Sequence, residues 1–205
     1  VKKEFESLEL NITKPKSIEA KTKVLKSAKE SFEALKAYNI ADVTTVANYQ
    51  MAELYRRFAK EFHDSPRPKG LPDDALEQYN IAIFDKAIAP NDDAAVKLYL
   101  LNGDIASQGH NDESTRASFA SIYQMGEMYS QMAKELEAKA EENIYVEERL
   151  AKYEEQSIKI HLANIKLVPK GIYDDSIRQS YTALAVLNPA RFAKKEQQLD
   201  LFIPC

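Results

Sequence analysis

Two parts of this chain repeat each other, and the repeat limits the folds that the sequence can adopt. Segment 50–62, which reads QMAELYRRFAKEF, returns as QMGEMYSQMAKEL at 124–136, which is 74 positions later. Two further segments return 62 positions later, 97–102 as 159–164 and 109–119 as 171–181. An internal repeat is typical of a stacked array of small units, which usually presents surface to a partner rather than performing chemistry. Because the two shifts differ, we expect the second copy to lack a segment around 85–96.

The apolar residues recur at spacings of three and four, which predicts amphipathic helices, and no stretch alternates with a period of two. We therefore expect an all-α fold with essentially no β-structure. The pattern predicts helices over about 17–38, 43–62, 73–108, 112–140, 144–168, 174–187 and 190–198. Pro90 should break or kink the third of these, because proline lacks a backbone N–H and crowds the preceding turn.

Helix ends are marked by turn residues. The loop 63–72 carries three prolines and a glycine, which a continuous helix does not accommodate. Gly109 and Gly171 occupy equivalent positions and are predicted to end a helix with positive φ. Asp112 and Asp174 follow at the same distance and are predicted to cap the next helix. The repeat unit is thus a helix, a turn and a second helix, whose apolar stripes are buried only by stacking on neighbours.

Composition excludes some classes of function. The formal net charge of −4 argues against a nucleic-acid groove, which needs a basic surface. The one cysteine, Cys205, permits no intrachain disulfide. No window reaches the roughly 18 apolar residues of a membrane span. No signal peptide is recognisable, and the chain opens with Val1 rather than Met, so we expect a processed protein or a fragment.

The sequence offers no motif for catalysis, for a metal or for a cofactor, and we expect none of these. The three histidines, His63, His110 and His161, form no His-Glu-x-x-His motif. There is no glycine-rich phosphate loop and no Gly-x-Ser-x-Gly elbow. Paired acids such as Asp73 and Asp74 stand at predicted helix starts, where they complement the backbone dipoles. Because His161 replaces Tyr99 of the first copy, we interpret it as a packing or surface residue.

Part of the second copy resembles a known repeat family. The run 120–129, which reads ASIYQMGEMY, is similar to the first helix of a tetratricopeptide motif, with Gly126 where two helices would approach closely. The chain departs from that pattern, because its unit is about twice the standard 34 residues and it contains no tryptophan. The resemblance implies a right-handed array of antiparallel helix pairs, a tetratricopeptide-like α-solenoid.

A narrower resemblance covers most of residues 43–196. The segments 65–71, 76–79, 159–164, 171–175 and 188–192 look like those of proteobacterial tetratricopeptide-type proteins associated with the cell envelope, including gliding-motility and TonB-like systems. This resemblance implies a scaffold in the envelope or periplasm, and no catalytic residues. We expect one domain over 1–205, with an irregular segment 1–16, a divergent helix pair 17–62, a second unit 73–140, a third unit 144–187 and a closing helix 188–200.

Some polar residues match between the copies and are candidates for binding a partner. The candidates are Lys97 with Lys159, Asn102 with Asn164, and Arg116 with Arg178. Ser114 with Ser176 and Glu53 with Glu127 match as well. They either fix the geometry of the helices and turns, or form an exposed polar ladder that grips a peptide. We expect a protein–protein interaction scaffold that binds a protein or peptide and no nucleic acid. The alternatives are a structural or oligomerising helical domain without a groove and, more remotely, a helical enzyme.

Overall fold

The computed structural model describes residues 2–140, 143–190 and 192. Every regular element among these residues is helical and none is a strand, which confirms the all-α prediction. The α-helices are α1 (Lys2–Ser7), α2 (Pro15–Lys36), α3 (Ala41–Asp64), α4 (Asp73–Ile83), α5 (Ala89–Ser107), α6 (Glu113–Ala140), α7 (Ile144–Ile165) and α8 (Asp175–Leu187). The predicted closing helix 188–200 falls outside the described residues beyond Phe192.

Pro90 does not end the helix in which it stands. A π-helical segment, Phe84–Ile88, joins α4 to α5, so the helical backbone runs on from Asp73 to Ser107. The amide of Ala89 donates to the carbonyl of Phe84, five residues back, and the Asn91 side chain donates to the Ala87 carbonyl at 2.6 Å. The widened turn lies directly before the proline and takes up the change in backbone pairing that proline imposes.

The chain divides into two compact units, Val1–Asn102 and Gly103–Cys205, and the division falls inside α5. Buried apolar side chains form the core of the first unit, among them Phe5, Leu25, Ala28, Met51, Leu54, Phe58, Ile81, Phe84, Ile88 and Tyr99. The core of the second unit includes Phe119, Ile122, Met125, Tyr129, Leu136, Tyr153, Ile160, Leu167, Ile177 and Leu184. Each unit therefore buries the apolar stripes of several helices, as amphipathic helices require.

The helices α6 and α7 run in opposite directions, as their contacts show. Near the start of α6, the Phe119 carbonyl lies 3.5 Å from the side-chain nitrogen of Asn164, near the end of α7. Further along α6, the ring of Tyr129 lies 5.8 Å from the ring of Tyr153, which precedes Asn164 in α7. Residue numbers therefore rise along α6 while those of the facing residues fall along α7, as in an antiparallel helix hairpin.

The two copies differ in the length of the helical run that leads to the shared asparagine. Ala95 and its counterpart Ser157 are both fully buried in their helices. Earlier in the same register, Asp92 is buried whereas Glu154 is exposed. The run of the first copy begins at Asp73 and includes the π-helical segment, and α7 of the second copy begins at Ile144. The expectation of a missing segment around 85–96 stays a prediction.

The predicted irregular segment 1–16 contains a helix, and a buried lysine holds it in place. Lys21 of α2 is fully buried. Its Nζ donates to the Leu8 carbonyl at 2.6 Å, pairs with the Glu61 carboxylate of α3, and lies 4.4 Å from the centre of the Phe5 ring. One ammonium group therefore joins the N-terminal segment to two helices. A lysine is rarely buried in this way unless it is paired.

We expect the substitution Lys21→Met to lower the free energy of unfolding by about 1–3 kcal/mol, because the Leu8 carbonyl and the Glu61 carboxylate lose their shared donor. The exposed Lys23 of the same helix provides the control, and Lys23→Met should change the free energy by less than about 0.5 kcal/mol. Urea denaturation measures both. Equal stability of the two variants would contradict this role for Lys21.

The predicted helix ends are confirmed at both copies. Gly109 has φ +96° and Gly171 has φ +78°, which is the left-handed region that glycine enters freely. The Asp112 carboxylate accepts a hydrogen bond from the Thr115 amide at 2.8 Å. The Asp174 carboxylate accepts one from the Ile177 amide at 2.9 Å. Each copy thus uses a glycine to leave one helix and an aspartate to begin the next.

Replacing Gly109 or Gly171 with valine should cost about 1 kcal/mol or more, because the left-handed conformation crowds a β-branched side chain. A Cβ atom at either position would meet no heavy atom within 4 Å, so the cost isolates backbone strain from packing. Thermal denaturation of the two single variants measures it. Unchanged melting temperatures in both would show that the turns relax without the glycine.

Candidate functional site

Counterpart polar residues face each other between two helices in each copy. In the first unit the Tyr99 hydroxyl of α5 donates to the Glu53 carboxylate of α3. In the second unit Nε2 of His161 in α7 lies 3.4 Å from Oε1 of Glu127 in α6. These residues are counterparts in the repeat. The tyrosine and the histidine are both fully buried, so each places a polar group between packed helices.

The candidate asparagines also make equivalent contacts in the two copies. The side-chain amide of Asn102 donates to the Thr45 carbonyl at 2.9 Å, and that of Asn164 donates to the carbonyl of Phe119, the counterpart of Thr45, at 3.5 Å. Asn102 and Asn164 are fully buried. Of the two alternatives for the asparagines, the structure agrees with the one in which they fix the geometry of the helices, and they do not lie on an exposed polar ladder. Each amide needs its backbone acceptor, because a buried amide without a partner is costly.

Gly126 lies where α6 and α7 approach closely, as the sequence predicts. A Cβ atom there would lie 2.5 Å from Nε2 of His161, so no larger residue fits without movement. The Ser157 hydroxyl donates to the Gly126 carbonyl at 2.8 Å. The first copy has Ala52 at this position. The glycine thus makes room for the imidazole that replaces the tyrosine of the first copy.

The imidazole of His161 is neutral at physiological pH. Burial lowers its pKa to about 4. Its Nδ1 lies 3.3 Å from the Ser180 hydroxyl, which also accepts a hydrogen bond from Asn164 at 2.9 Å. A carboxylate, an imidazole and a hydroxyl thus stand in sequence, as in some hydrolases. Ser180 is fully buried, however, so in this structure its hydroxyl does not reach a substrate.

An open groove of about 260 Å³ lies between α6 and α8, beside these buried contacts. Its lining residues are Tyr123, Glu127, Ser130 and Lys134 from α6, and Gln179, Thr182, Ala183, Val186 and Leu187 from α8. Burial and the neighbouring Glu127 carboxylate raise the pKa of Tyr123. The Tyr123 ring also lies 5.8 Å from the imidazole of His161, so one wall of the groove rests on the buried cluster.

The remaining candidate residues lie elsewhere on the surface. Lys97, Lys159, Arg116 and Arg178 are exposed. The Arg116 guanidinium donates to the Asn111 carbonyl at 3.3 Å, and that of Arg178 lies 3.7 Å from the carboxylate of Asp175. The residues that line the groove are not among the six candidates. The repeat does contain a signal for them, because Tyr49, Glu53 and Lys60 of the first copy match Tyr123, Glu127 and Lys134.

Comparison of the chain with family models, with curated proteins and with solved structures finds no match in any of the three. The resemblance to tetratricopeptide proteins therefore stays a prediction. Among the residues that the structure describes, no helix combines the length and the apolar character that crossing a bilayer requires.

We expect the buried histidine to make stability depend on pH. The unfolded chain, with an ordinary histidine pKa near 6.5, binds a proton that the folded chain accepts only near pH 4. The free energy of unfolding should therefore fall by roughly 3 kcal/mol between pH 6.5 and pH 4 on account of this group alone. His161→Tyr, which installs the residue of the first copy, should remove that component. Denaturant titrations at several pH values measure it, with His63→Gln at an exposed site as the control.

An unchanged pH dependence in His161→Tyr would show that the imidazole takes up its proton at the same pH in the folded and the unfolded chain. In that case the Glu127 carboxylate at 3.4 Å would act as its ion partner.

Proposed function

We propose that this chain is a protein–protein interaction module, built as a right-handed, tetratricopeptide-like array of antiparallel helix pairs. The groove between α6 and α8 carries the proposal. It combines a tyrosine, a carboxylate, an ammonium group and an apolar floor on two helices, and the buried contacts of Asn164 and His161 hold those helices in register. Binding surfaces of helical arrays are usually polar side chains held on rigid helices of this kind.

The register of the repeat supports an array. Helix α8 is the counterpart of the first half of α6, because each follows a left-handed glycine and a capping aspartate at the same distance. It therefore begins a third repeat. The groove lies between the first helices of two successive repeats, and stacking of repeats produces such grooves at every step.

We further propose that the module belongs to a larger assembly of the bacterial cell envelope. The support is the resemblance of segments 65–71 and 171–175 to envelope-associated proteins. The alternative is an oligomerising helical domain, in which Val186, an apolar side chain that is 73% exposed, packs against a second copy of the chain.

Photo-cross-linking in the native cell tests the interaction module. A photoreactive amino acid at Gln179, on the groove wall, should yield a discrete adduct with another protein, which mass spectrometry identifies. The same group at exposed Lys23 on α2 is the control and should not form that adduct. An adduct with a second copy of the chain would favour the oligomerising alternative. No adduct at Gln179 would remove the groove as a binding site.

The exposed arginines extend this test. Arg116 and Arg178 lie outside the groove lining, and Arg178 directly precedes Gln179 on α8. If the bound partner extends beyond the groove to these arginines, Arg116→Ala combined with Arg178→Ala should weaken the Gln179 adduct. The double variant should lower the free energy of unfolding by less than about 0.5 kcal/mol, because the contacts of both arginines are solvent-exposed. Unfolding of the double variant would show that the arginines hold the fold together. An adduct of full strength would exclude them from the binding surface.

A further inference from the structure

The groove has the side-chain spacing of a helix-packing seam. Tyr123, Glu127, Ser130 and Lys134 follow one another at intervals of four, three and four residues along α6. The α8 wall contributes residues 179, 182, 183, 186 and 187, which stand at positions i, i+3, i+4, i+7 and i+8. Stripes with this period are those by which α-helices pack side by side. Two such stripes that face one open groove leave a place for a third helix.

The charges in the groove are ordered along its length. Glu127 has a side chain that is 46% exposed, and Lys134 is exposed two helical turns further on. At 1.5 Å per residue the two charges stand roughly 10 Å apart along α6. On the same helix the small Ser130 stands between them, and α8 contributes the apolar Ala183 and Val186 to the lining. The groove therefore presents one negative and one positive side chain on α6 and apolar side chains on α8.

The first copy shows how a repeat neutralises this carboxylate. There the counterpart of Ser130 is Arg56, whose guanidinium lies 3.8 Å from the Glu53 carboxylate. In the second copy a serine stands at that position, and among the described residues no lysine or arginine lies within 4 Å of Glu127. The second copy therefore leaves its carboxylate open to a cation supplied from outside.

We infer that the groove binds a helix of a partner protein that carries one basic and one acidic side chain two turns apart, at positions i and i+7, with small apolar residues between them. The basic side chain pairs with Glu127 and the acidic one with Lys134, while the small residues pack on Ala183 and Val186. This inference depends on the proposed interaction function and adds the chemistry of the partner. Charge complementarity in a helix-packing groove selects the partner and its register.

Synthetic helical peptides test the charge pattern. Four alanine-rich peptides carry Lys and Glu, Lys and Lys, Glu and Glu, or Gln and Gln at positions i and i+7, with alanine and valine between. Fluorescence anisotropy measures their binding to the full chain. Since an exposed ion pair contributes about two- to fivefold in affinity, the Lys–Glu peptide should bind at least several-fold more tightly than the Lys–Lys or Glu–Glu peptide. Equal affinity of all four would overturn the inference.

Variants of the chain locate the contacts. Glu127→Gln should abolish the advantage that the peptide lysine confers, and Lys134→Gln should abolish that of the peptide glutamate, as in a double-mutant cycle. The exposed Glu135 and Lys139 of α6 lie outside the groove lining, so Glu135→Gln and Lys139→Gln are matched controls. If the controls reduce binding as much as the groove variants do, the peptide binds through net charge, and the inference fails.

The difference between the copies provides a sharper variant. Ser130→Arg installs the arginine of the first copy beside Glu127 and should weaken the Lys–Glu peptide at least fivefold, because it both neutralises the carboxylate and fills the groove. Ala151→Arg adds the same charge at an exposed site of α7 outside the lining and away from Glu127, and it should leave binding unchanged. Equal effects of the two would contradict a specific site at residue 130.

The outcomes of the peptide test and the cross-linking test distinguish the inference about the partner helix from the proposed interaction function. If the Gln179 adduct forms but the four peptides are not distinguished, the groove binds a partner that is not a helix with this charge pattern. A Lys–Glu peptide interrupted by proline, which cannot remain helical, should lose binding. If it binds as well as the intact peptide, the occupant is an extended segment, and the inference of a partner helix is wrong.

Discussion

A buried hydrogen bond from an asparagine to the backbone of a packed helix is the constraint on which the rest of the structure depends. Asn102 makes it to Thr45 in the first unit, and Asn164 makes it to Phe119 in the second. Apolar contacts between two helices tolerate a shift of one turn, but an amide removed from water needs its own acceptor. The asparagines thus specify which turn of one helix meets which turn of the other. The positions of the groove walls follow from that register.

Within this shared register, each copy accommodates its own side chains by a change at the neighbouring position. The first copy places Tyr99 against Ala52, and the second places His161 against Gly126, where a Cβ atom would meet the imidazole. In both, the side chain reaches a glutamate at the edge of the core. The exchange of a phenol for an imidazole keeps the contact and changes its response to pH, because burial opposes the charged form of histidine. The architecture is therefore repeated while the chemistry behind the groove is not.

Most of the helices, and the turns at Gly109 and Gly171, could be predicted because local chemistry decides them. Apolar spacing reports a helix, and glycine and aspartate report its ends. The π-helical segment before Pro90 could not be predicted, since proline gives the same signal whether a helix breaks or widens. The burial of Lys21 could not be predicted either, because its partners Phe5, Leu8 and Glu61 come together only when the chain has folded. The groove required knowledge of which helix faces α6, and no single helix contains that information.

The difference between the asparagines and the groove also shows what repetition within a chain can indicate. A polar residue that recurs in both copies suggests a shared ligand, yet Asn102 and Asn164 recur because both copies need the same internal hydrogen bond. For the asparagines, repetition thus reports a demand of the fold, whereas the repeated Tyr123, Glu127 and Lys134 line the groove. A difference between the copies can therefore make one of two otherwise similar surfaces available to a partner. Ser130 in place of Arg56 is such a difference, because it leaves a carboxylate exposed without altering the register of the helices.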